Sequence, residues 1–475
     1  MDKNIERTIK LIQFLYSYNK FVSAEELAGF IGLSSKTIKL ELENISEYLK
    51  ANDFGLYVTK QNSNYYLERN PIHYLGSLIF NLNQKSTYFF MTVHLFYNEF
   101  NLKKTFNNNY YSDSYYYKSK TNYEKKIQKF GLNLSNSPTH LIGDEQFIRF
   151  YFYSFYWKNY DKIEWPFTHL KKEQAIEIIQ KIEQSIQIYF TETEQLKLAY
   201  WIAIIVNRIR NQNYLSHKWT SINLNHVDEK SKTDSDWMKF IFVKQIKADG
   251  HIWKEERDFF LSIILLILDA ENWGKLISKK KIIYQSGDML DFSIQFCKNS
   301  EKFFRLKKGV NWKTIIYAAY RIVYHQLVLN RKFDAYIITY KRDLLSVPLF
   351  NKVYQKFIME WMDSTNELWD SYQKKPEIYE ELKYIVLNSI DIKTYQPSLN
   401  TYLYLTKGEL EELIVMEHLS KLNYNWIFQK NINDSVDLII TDSLLEKESY
   451  PELYFFWNDT SIENNLISLK CFLEK

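Results

Sequence analysis

Two groups of Ser, Thr, Lys and Tyr residues lie at the starts of predicted helices, where their side chains could contact a polyanion. The first group is Ser35, Lys36, Thr37 and Lys39. An apolar stripe at helical spacing runs through the same segment: Ile38, Leu42, Ile45 and Leu49. Because the stripe must face inward, the polar group faces outward, where hydroxyl and ammonium groups can bind phosphate oxygens. The alternative is an ordinary solvated helix face.

The second group lies between Lys103 and Lys129, a stretch with seven lysines and two acidic residues. Its candidate contact residues are Lys103, Lys104, Ser114, Tyr115, Lys118, Ser119 and Lys120. Tyrosine hydroxyls can bind phosphate, although tyrosines at helical spacing are more often core residues. Neither predicted helix contains Arg, the usual bidentate reader of guanine. We therefore expect phosphate contacts and DNA shape to dominate affinity, with a loose consensus site.

The first group sits in a segment with helix-turn-helix spacing. Ser23 and Glu26 form a capping box, Gly32 allows the sharp turn, and Ser34 or Ser35 caps the next helix. Glu41 departs from the pattern, which prefers an apolar residue there. Residues 56–60 and 65–67 predict a hairpin, which makes the module a winged helix. The same order recurs over residues 86–142, without the glycine turn.

Composition places these modules in a larger, mostly helical protein. A chain of 475 residues predicts three to five domains, and only 11 Gly and 7 Pro favour helices over turns. Helical patterns fill residues 146–387, and strands alternate with helices after Pro397. The net charge of +4 comes from the first 157 residues, with 18 basic and 14 acidic side chains. This asymmetry points weakly to a nucleic-acid contact there.

Several classes of function are excluded. The chain has no GxGxxG, GxxxxGK[ST] or GxSxG motif, and its nine histidines show no metal-ligand spacing. Its two cysteines, Cys297 and Cys471, show no CxxC spacing, and Asp434, Asp437 and Asp442 are acidic residues at the ends of a strand. We expect no enzyme activity, no cofactor and no metal. The first ten residues lack a signal-peptide core, and the longest apolar run, residues 259–268, is too short for a membrane span, so we expect a cytoplasmic protein.

The order of these parts resembles the Mga/AtxA family of regulators from Gram-positive bacteria. The resemblance rests on residues 23–49, on residues 130–134 with the segment Gly143, Asp144, Glu145 and Ile148, Arg149, and on Asn207 to Arg210. It implies a mainly α, multidomain fold with a winged helix-turn-helix at 1–70 and a second at 71–160. Two helical phosphotransferase-regulation domains (PRDs) follow at 161–285 and 286–392. The last part, 398–475, is an α/β domain like enzyme IIB of the sugar phosphotransferase system.

The resemblance also implies phosphorylation sites. The usual histidine of the first PRD is replaced by Trp201, which leaves His217 nearby and His325 in the second PRD as possible phosphoacceptors. Phosphocarrier HPr or IIA proteins would then be partners. The IIB-like part lacks the phosphocysteine after its first strand, where the chain reads Leu405, Thr406, Lys407 and Gly408. We expect Cys471 to be buried and inert.

These observations favour a dimeric regulator that binds double-stranded DNA and has no membrane partner. The two winged modules provide the DNA contacts, and a homodimer would present two such heads to one duplex. The alternative is a phosphotransferase-linked sensor or scaffold that acts through protein contacts without binding DNA.

Overall fold

The structure is a computed structural model of the chain. It describes residues 3–18, 20–98, 102–109, 111–135, 139–160, 164–215, 252–268, 272, 275, 287–304, 311–329, 348–364, 376–406, 408–422, 424–432, 435–443, 454–457 and 462–473. The chain forms two compact units. The first contains Met1–Gln285 with Val328–Ile338, and the second contains Ser286–Leu327 with Thr339–Lys475.

The first unit begins with a helix-turn-helix module, which we call head 1. Its elements are α1 (Lys3–Ser17), β1 (Val22–Ser23), α2 (Ala24–Ile31), α3 (Ser35–Ala51), β2 (Leu56–Gln61) and β3 (Asn64–Arg69). The predicted hairpin is confirmed, and the short β1, absent from the prediction, adds a third antiparallel strand in the order β1-β3-β2. The apolar stripe of α3 is buried in one core with α1, α2 and both hairpin strands.

A second module, head 2, follows. Its elements are α4 (Leu75–Gln84), α5 (Thr87–Phe96), α6 (Leu102–Asn108), α7 (Asp113–Ile127), a 3-10 turn (Gln128–Phe130), β4 (Asn133–Leu134), β5 (Leu141–Ile142) and α8 (Glu145–Tyr160). Its core is aromatic, with Phe89 in contact with both Phe80 and Phe155. The predicted second hairpin is confirmed, but each strand has only two residues. Helix α4 also joins the core of head 1 through Leu78 and Leu82.

Three helices complete the described part of the first unit: α9 (Lys172–Ile186), α10 (Glu192–Arg210) and α11 (Ile252–Ile267). Helix α10 is buried almost all round from Leu198 to Ile209, because α8, α9 and α11 pack against it. This burial explains why its sequence lacks a polar face.

The second unit has a helical part and a sheet. The helices are α12 (Gly287–Phe303), α13 (Trp312–Leu329), α14 (Pro348–Ser364) and α15 (Pro376–Ser389). Phe296, Phe357 and Trp361 form part of their aromatic core. Residues 334–344, a part of the predicted helical span 146–387, lie outside the described residues. None of the helices in the described ranges has the length and apolar character that a bilayer span requires.

The C-terminal part alternates strands and helices as the sequence predicts. Its elements are β6 (Ser398–Tyr404), α16 (Glu409–Leu419), β7 (Asn425–Gln429), β8 (Leu438–Thr441), β9 (Tyr454–Phe456) and α17 (Ile462–Leu473). All three strand pairs are parallel, in the order β7-β6-β8-β9. All four residues of strand β8 are buried, and β8 pairs with β6 on one side and with β9 on the other.

Candidate nucleic-acid interface

The turn between α2 and α3 is determined by local capping. The Ser23 hydroxyl accepts the Glu26 amide at 3.1 Å, and the Ser23 amide donates to the Glu26 carboxylate at 2.9 Å. This backbone hydrogen bond lowers the pKa of Glu26 below its ordinary value. Gly32 ends α2 in the left-handed region, with φ 76°, where a side chain would be strained. Ser34, rather than Ser35, is the N-cap of α3.

Helix α3 presents the first predicted contact group on its outer side. Lys36 is exposed, while Ser35, Thr37 and Lys39 are partly buried. The Thr37 hydroxyl lies 2.8 Å from that of Ser34. The predicted division of α3 is confirmed, since Ile38, Leu42, Ile45 and Leu49 are all buried. Contact of the outer side with DNA stays a prediction.

Glu41, the departure from the helix-turn-helix pattern, has a partner. The Arg7 guanidinium of α1 lies 3.3 Å from the Glu41 carboxylate. An ion pair between α1 and α3 therefore takes the place of an apolar contact, and Leu42 fills the core position beside it.

In head 2 the first predicted contact residue is engaged within the module. The Lys103 ammonium lies 2.7 Å from the Asp113 carboxylate and 5.4 Å from the centre of the Tyr117 ring. The hydrogen bond to Asp113 raises the pKa of Lys103. Lys103 thus links α6 to the start of α7. Lys104, Ser114 and Lys118 are exposed, and Tyr115 is partly buried, with its ring stacked on Tyr111.

The predicted outward position is wrong for Ser119 and Lys120, which are buried on the inner side of α7. The Lys120 ammonium lies 3.9 Å from the Glu124 carboxylate. An alignment of the two N-cap serines, Ser112 of α7 and Ser34 of α3, shows why Lys120 is buried. It places Lys120 at the position of Leu42, which is buried in α3. The lysine stem can fill such an apolar position while its ammonium stays near the surface.

The same alignment identifies exposed residues that sequence reasoning missed. Thr121, Asn122 and Lys125 continue the outer side of α7 beyond Lys118. The signal was present in the helical period, because Lys118, Thr121, Asn122 and Lys125 are spaced i, i+3, i+4 and i+7. The outer side of α7 therefore carries two exposed lysines and no acidic residue after its first turn.

The tyrosines of head 2 belong mainly to its core. The hydroxyls of Tyr88, Tyr123 and Tyr151 meet that of Thr92, with a Tyr123–Tyr151 distance of 2.8 Å and a Tyr88–Tyr151 distance of 2.9 Å. Burial raises the pKa of Tyr88 to about 12, and it raises the pKa of Tyr123 and Tyr151 as well. These protonated hydroxyls bind one another and are not available to phosphate.

A buried ion network joins α8 of head 2 to the following helices. Arg149, completely buried, donates to both carboxylate oxygens of Glu256 on α11, at 2.6 and 2.8 Å, and to Glu145 at 3.0 Å. Burial alone would lower the pKa of Arg149, but the charges and hydrogen bonds of Glu256 and Glu145 raise it above its ordinary value. Arg149 is therefore charged and held from two sides.

Arg208 of α10 completes the network. Its guanidinium donates to both oxygens of Glu145, at 2.8 and 2.7 Å. Beside it, the Asn207 amide donates to the carbonyl of Phe96 at the end of α5. The two motifs that carry the family resemblance, Glu145 to Arg149 and Asn207 to Arg210, are thus in direct contact. Sequence reasoning named both motifs and missed this contact.

The structure describes the side chain at one of the three positions considered for phosphorylation, that of Trp201. Trp201 is completely buried, stacked on Tyr153 with 4.5 Å between ring centres and edge-on to Phe150 at 4.6 Å. An aromatic contact thus occupies the position of the usual first histidine. His217 lies outside the described residues. His325 lies in α13, and its side chain is outside the described part.

In the C-terminal part, the loop after β6 binds a carboxylate of the chain itself. The Thr406 amide donates to Asp442 at 2.9 Å, and its hydroxyl donates at 2.7 Å. The position where the thiol is missing is therefore beside an internal anion, the Asp442 carboxylate. The expectation for Cys471 is wrong: Cys471 is exposed, because it lies about 200° around α17 from the buried Leu469. Lys407 lies outside the described residues.

Two modules, each with a short helix, a serine-capped helix that carries exposed lysines and a following hairpin, define the class of helix-turn-helix proteins. Comparison with known proteins agrees. Residues 74–156 match the Mga helix-turn-helix domain. This range covers head 2 from the start of α4 to a point four residues before the end of α8. No group of His, Cys, Asp and Glu with metal-site geometry occurs among the described residues.

The chain is similar to three regulators of Bacillus anthracis. It is 29% identical to the capsule synthesis positive regulator AcpA, over 62% of this chain and 60% of that protein. It is 28% identical to the capsule synthesis positive regulator AcpB, over 48% of each. It is 20% identical to the anthrax toxin expression trans-acting positive regulator, over 72% of this chain and 68% of that protein. The match thus spans between about half and two thirds of these relatives, and it confirms the resemblance to the Mga/AtxA family of virulence regulators.

Proposed function

We propose that this protein is a transcription regulator that binds double-stranded DNA through its two heads. The observation that carries the proposal is the pair of helices α3 and α7, each capped by a serine and each presenting exposed lysines outward. The match of residues 74–156 to the Mga helix-turn-helix domain supports it. Relatives named positive regulators support positive action on transcription.

The test is a mobility-shift assay of the full chain on AT-rich and GC-rich duplexes at about 0.1 M salt. We expect retarded complexes on both, because phosphate contacts do not depend on base sequence. If neither duplex is retarded at micromolar protein, the scaffold alternative replaces this proposal.

The domain assignment also remains a proposal: winged helices at 1–70 and 71–160, PRD-like bundles at 161–285 and 286–392, and a IIB-like domain at 398–475. The hairpins of both heads, the buried α10 and the four parallel strands at the C-terminus support it. Helix α4 supports a boundary between the two heads that lies after residue 70, because its Leu78 and Leu82 belong to the core of head 1.

In this proposal, sugar-system phosphorylation acts on histidines of the two helical bundles, His217 after the described part of the first and His325 in the second. Trp201 has no atom that accepts a phosphoryl group, and the loop after β6 holds Asp442 instead of a phosphate. His325 and His217 are the proposed acceptors, and phosphorylation would add charge that changes helix packing.

We expect enzyme I, HPr and a IIA protein to place no thiol-linked phosphate on the chain. Cys297 is buried and its pKa is raised to about 12 by that burial, while the exposed Cys471 lies in a helix far along the chain from the loop after β6. Mass spectrometry under neutral conditions checks the result. Phosphate on His325 supports regulation through the second bundle, and phosphate on Cys471 contradicts the prediction.

The homodimer is a further part of this proposal, and we assign it to the C-terminal part. Helix α16 exposes Leu410, Leu413 and Ile414 at i, i+3 and i+4 spacing, with Leu410 73% exposed. Burial of such a stripe against a second copy is favourable. Truncation after Ser389 should lower the dimer fraction in sedimentation velocity. A truncated chain that stays fully dimeric would assign the interface to another part.

A further inference from the structure

The middle of α3 exposes four residues between Lys36 near its start and Lys50 in its last turn: Leu40, Glu43, Asn44 and Glu47. Their spacing of i, i+3, i+4 and i+7 places them on one stripe, opposite the buried Ile38 and Leu42. Leu40 is 59% exposed. A single exposed leucine is common on protein surfaces, so the argument rests on its neighbours and its position.

The spacing is that of helices that read the major groove. Homeodomain recognition helices contact bases with side chains at i, i+3, i+4 and i+7, and the i+4 residue is an Asn that binds adenine. In α3 the i+4 residue of the stripe is Asn44. The first residue of the stripe, Leu40, has the apolar surface that packs on the methyl group of thymine.

The charge of the stripe argues that it faces bases rather than phosphates. Glu43 and Glu47 would be repelled by a phosphate backbone, whereas a glutamate can accept a hydrogen bond from a cytosine amino group. The lysines of α3 lie near its two ends, Lys36 and Lys39 at its start and Lys50 in its last turn, where they can reach phosphates at the edges of the groove. Phosphate contacts and base contacts are thus separated along one helix.

Helix α7 provides an internal comparison. Aligned on the N-cap serines, Leu40, Glu43, Asn44 and Glu47 of α3 correspond to Lys118, Thr121, Asn122 and Lys125 of α7. The stripe of α3 thus contains two acidic residues at the positions where the stripe of α7 has Thr121 and Lys125, and α7 has a second lysine, Lys118, at the position of Leu40. Head 2 therefore has the more favourable surface for phosphates, and head 1 has the surface that discriminates between bases.

We propose that Leu40 and Asn44 read adjacent A·T base pairs in the major groove, an inference that rests on the proposed DNA binding. Leu40 packs on the thymine methyl group. The Asn44 side chain accepts from adenine N6 and donates to adenine N7. The four residues from Leu40 to Asn44 advance about 6 Å along the helix axis, which is within reach of neighbouring base pairs.

The test selects binding sites from a pool of random duplexes with the full chain, and then compares Leu40→Ala and Asn44→Ala. Leu349→Ala and Asn388→Ala are matched controls, since both residues are exposed, lie in the second unit and belong to neither head nor to the proposed dimer stripe. We expect Asn44→Ala to lose about tenfold preference for adenine at one position. Both controls should select the wild-type motif.

Deoxyuridine tests the methyl contact directly, because it differs from thymidine only by that group. Replacing the selected thymine with deoxyuridine should weaken wild-type binding about fourfold, and Leu40→Ala should bind both duplexes equally. Selection of the same motif by both variants, or equal loss with deoxyuridine in the wild type and Leu40→Ala, overturns this inference while DNA binding stands. If the wild type binds no duplex, the proposed function and this inference both fail.

Discussion

Arg149→Met should lower the free energy of unfolding of the first unit by about 3–5 kcal/mol, because it leaves the completely buried Glu256 carboxylate without its cation. Glu256 accepts two hydrogen bonds from Arg149, and the Leu215 amide, at 3.3 Å, is a weak substitute. Glu145 keeps Arg208 as a partner, so the loss falls mainly on Glu256. Urea denaturation followed by tryptophan fluorescence, which reports on the buried Trp201, measures the change.

Two further variants separate the network from a simple loss of packing. The double variant Arg149→Met, Glu256→Leu removes both charges, so it should be more stable than Arg149→Met alone. Lys356→Ala is a matched control, because it breaks an exposed ion pair with Glu360 at 3.7 Å and should cost less than about 0.5 kcal/mol. Equal losses from Arg149→Met and the double variant would show that the charge pairing is not the cause.

Changing Lys36, Lys39, Lys118 and Lys125 to Ala should produce the second large effect, on DNA affinity. Each lost phosphate contact reduces the slope of log affinity against log salt by about 0.9, and four reduce it by up to about 3.6. Extrapolated from 1 M salt, a change of that size weakens binding at 0.15 M by roughly a thousandfold. Fluorescence anisotropy with a labelled duplex at several salt concentrations measures the slope. Lys120 is left unchanged, because it is buried.

The matched control removes the same charge from the second unit. Lys298, Lys302, Lys352 and Lys356 are exposed on α12 and α14. Their change to Ala lowers the net charge equally, and we expect the salt slope to stay within experimental error of the wild type. An equal decrease in both quadruple variants would mean that net charge, rather than contact by the two heads, governs DNA affinity.

Local features of head 1 were predictable from the sequence alone. The Ser23–Glu26 capping box, the turn at Gly32 and the buried stripe of α3 each depend on residues within about one or two helical turns. Capping groups, glycine conformation and helical period act over that distance, so their effect can be read without a fold. The strands and helices after Pro397 were predictable for the same reason, from a change of period.

Tertiary structure decided which residues face inward where the local pattern was ambiguous. In α7, aromatic and charged residues follow one another without a clear apolar stripe, and packing placed Ser119 and Lys120 inside. In α17, Cys471 is an apolar residue by type, yet its position on the helix leaves it exposed. Burial depends on which side of a helix has a neighbour, and sequence spacing gives that only when apolar residues mark it.

Interactions between near neighbours account for the capped turns, the outward position of Lys36 on α3 and the order of helices and strands, so these features follow from the amino-acid sequence. Only the tertiary structure decided that Arg149 binds Glu256, 107 residues away, and that Thr406 binds Asp442, 36 residues away. A polar or charged side chain can bind any complementary group that the fold brings within about 3 Å. Its partner therefore depends on the chain topology. The buried ion pair between Arg149 of head 2 and Glu256 of α11 is one example of such a partner.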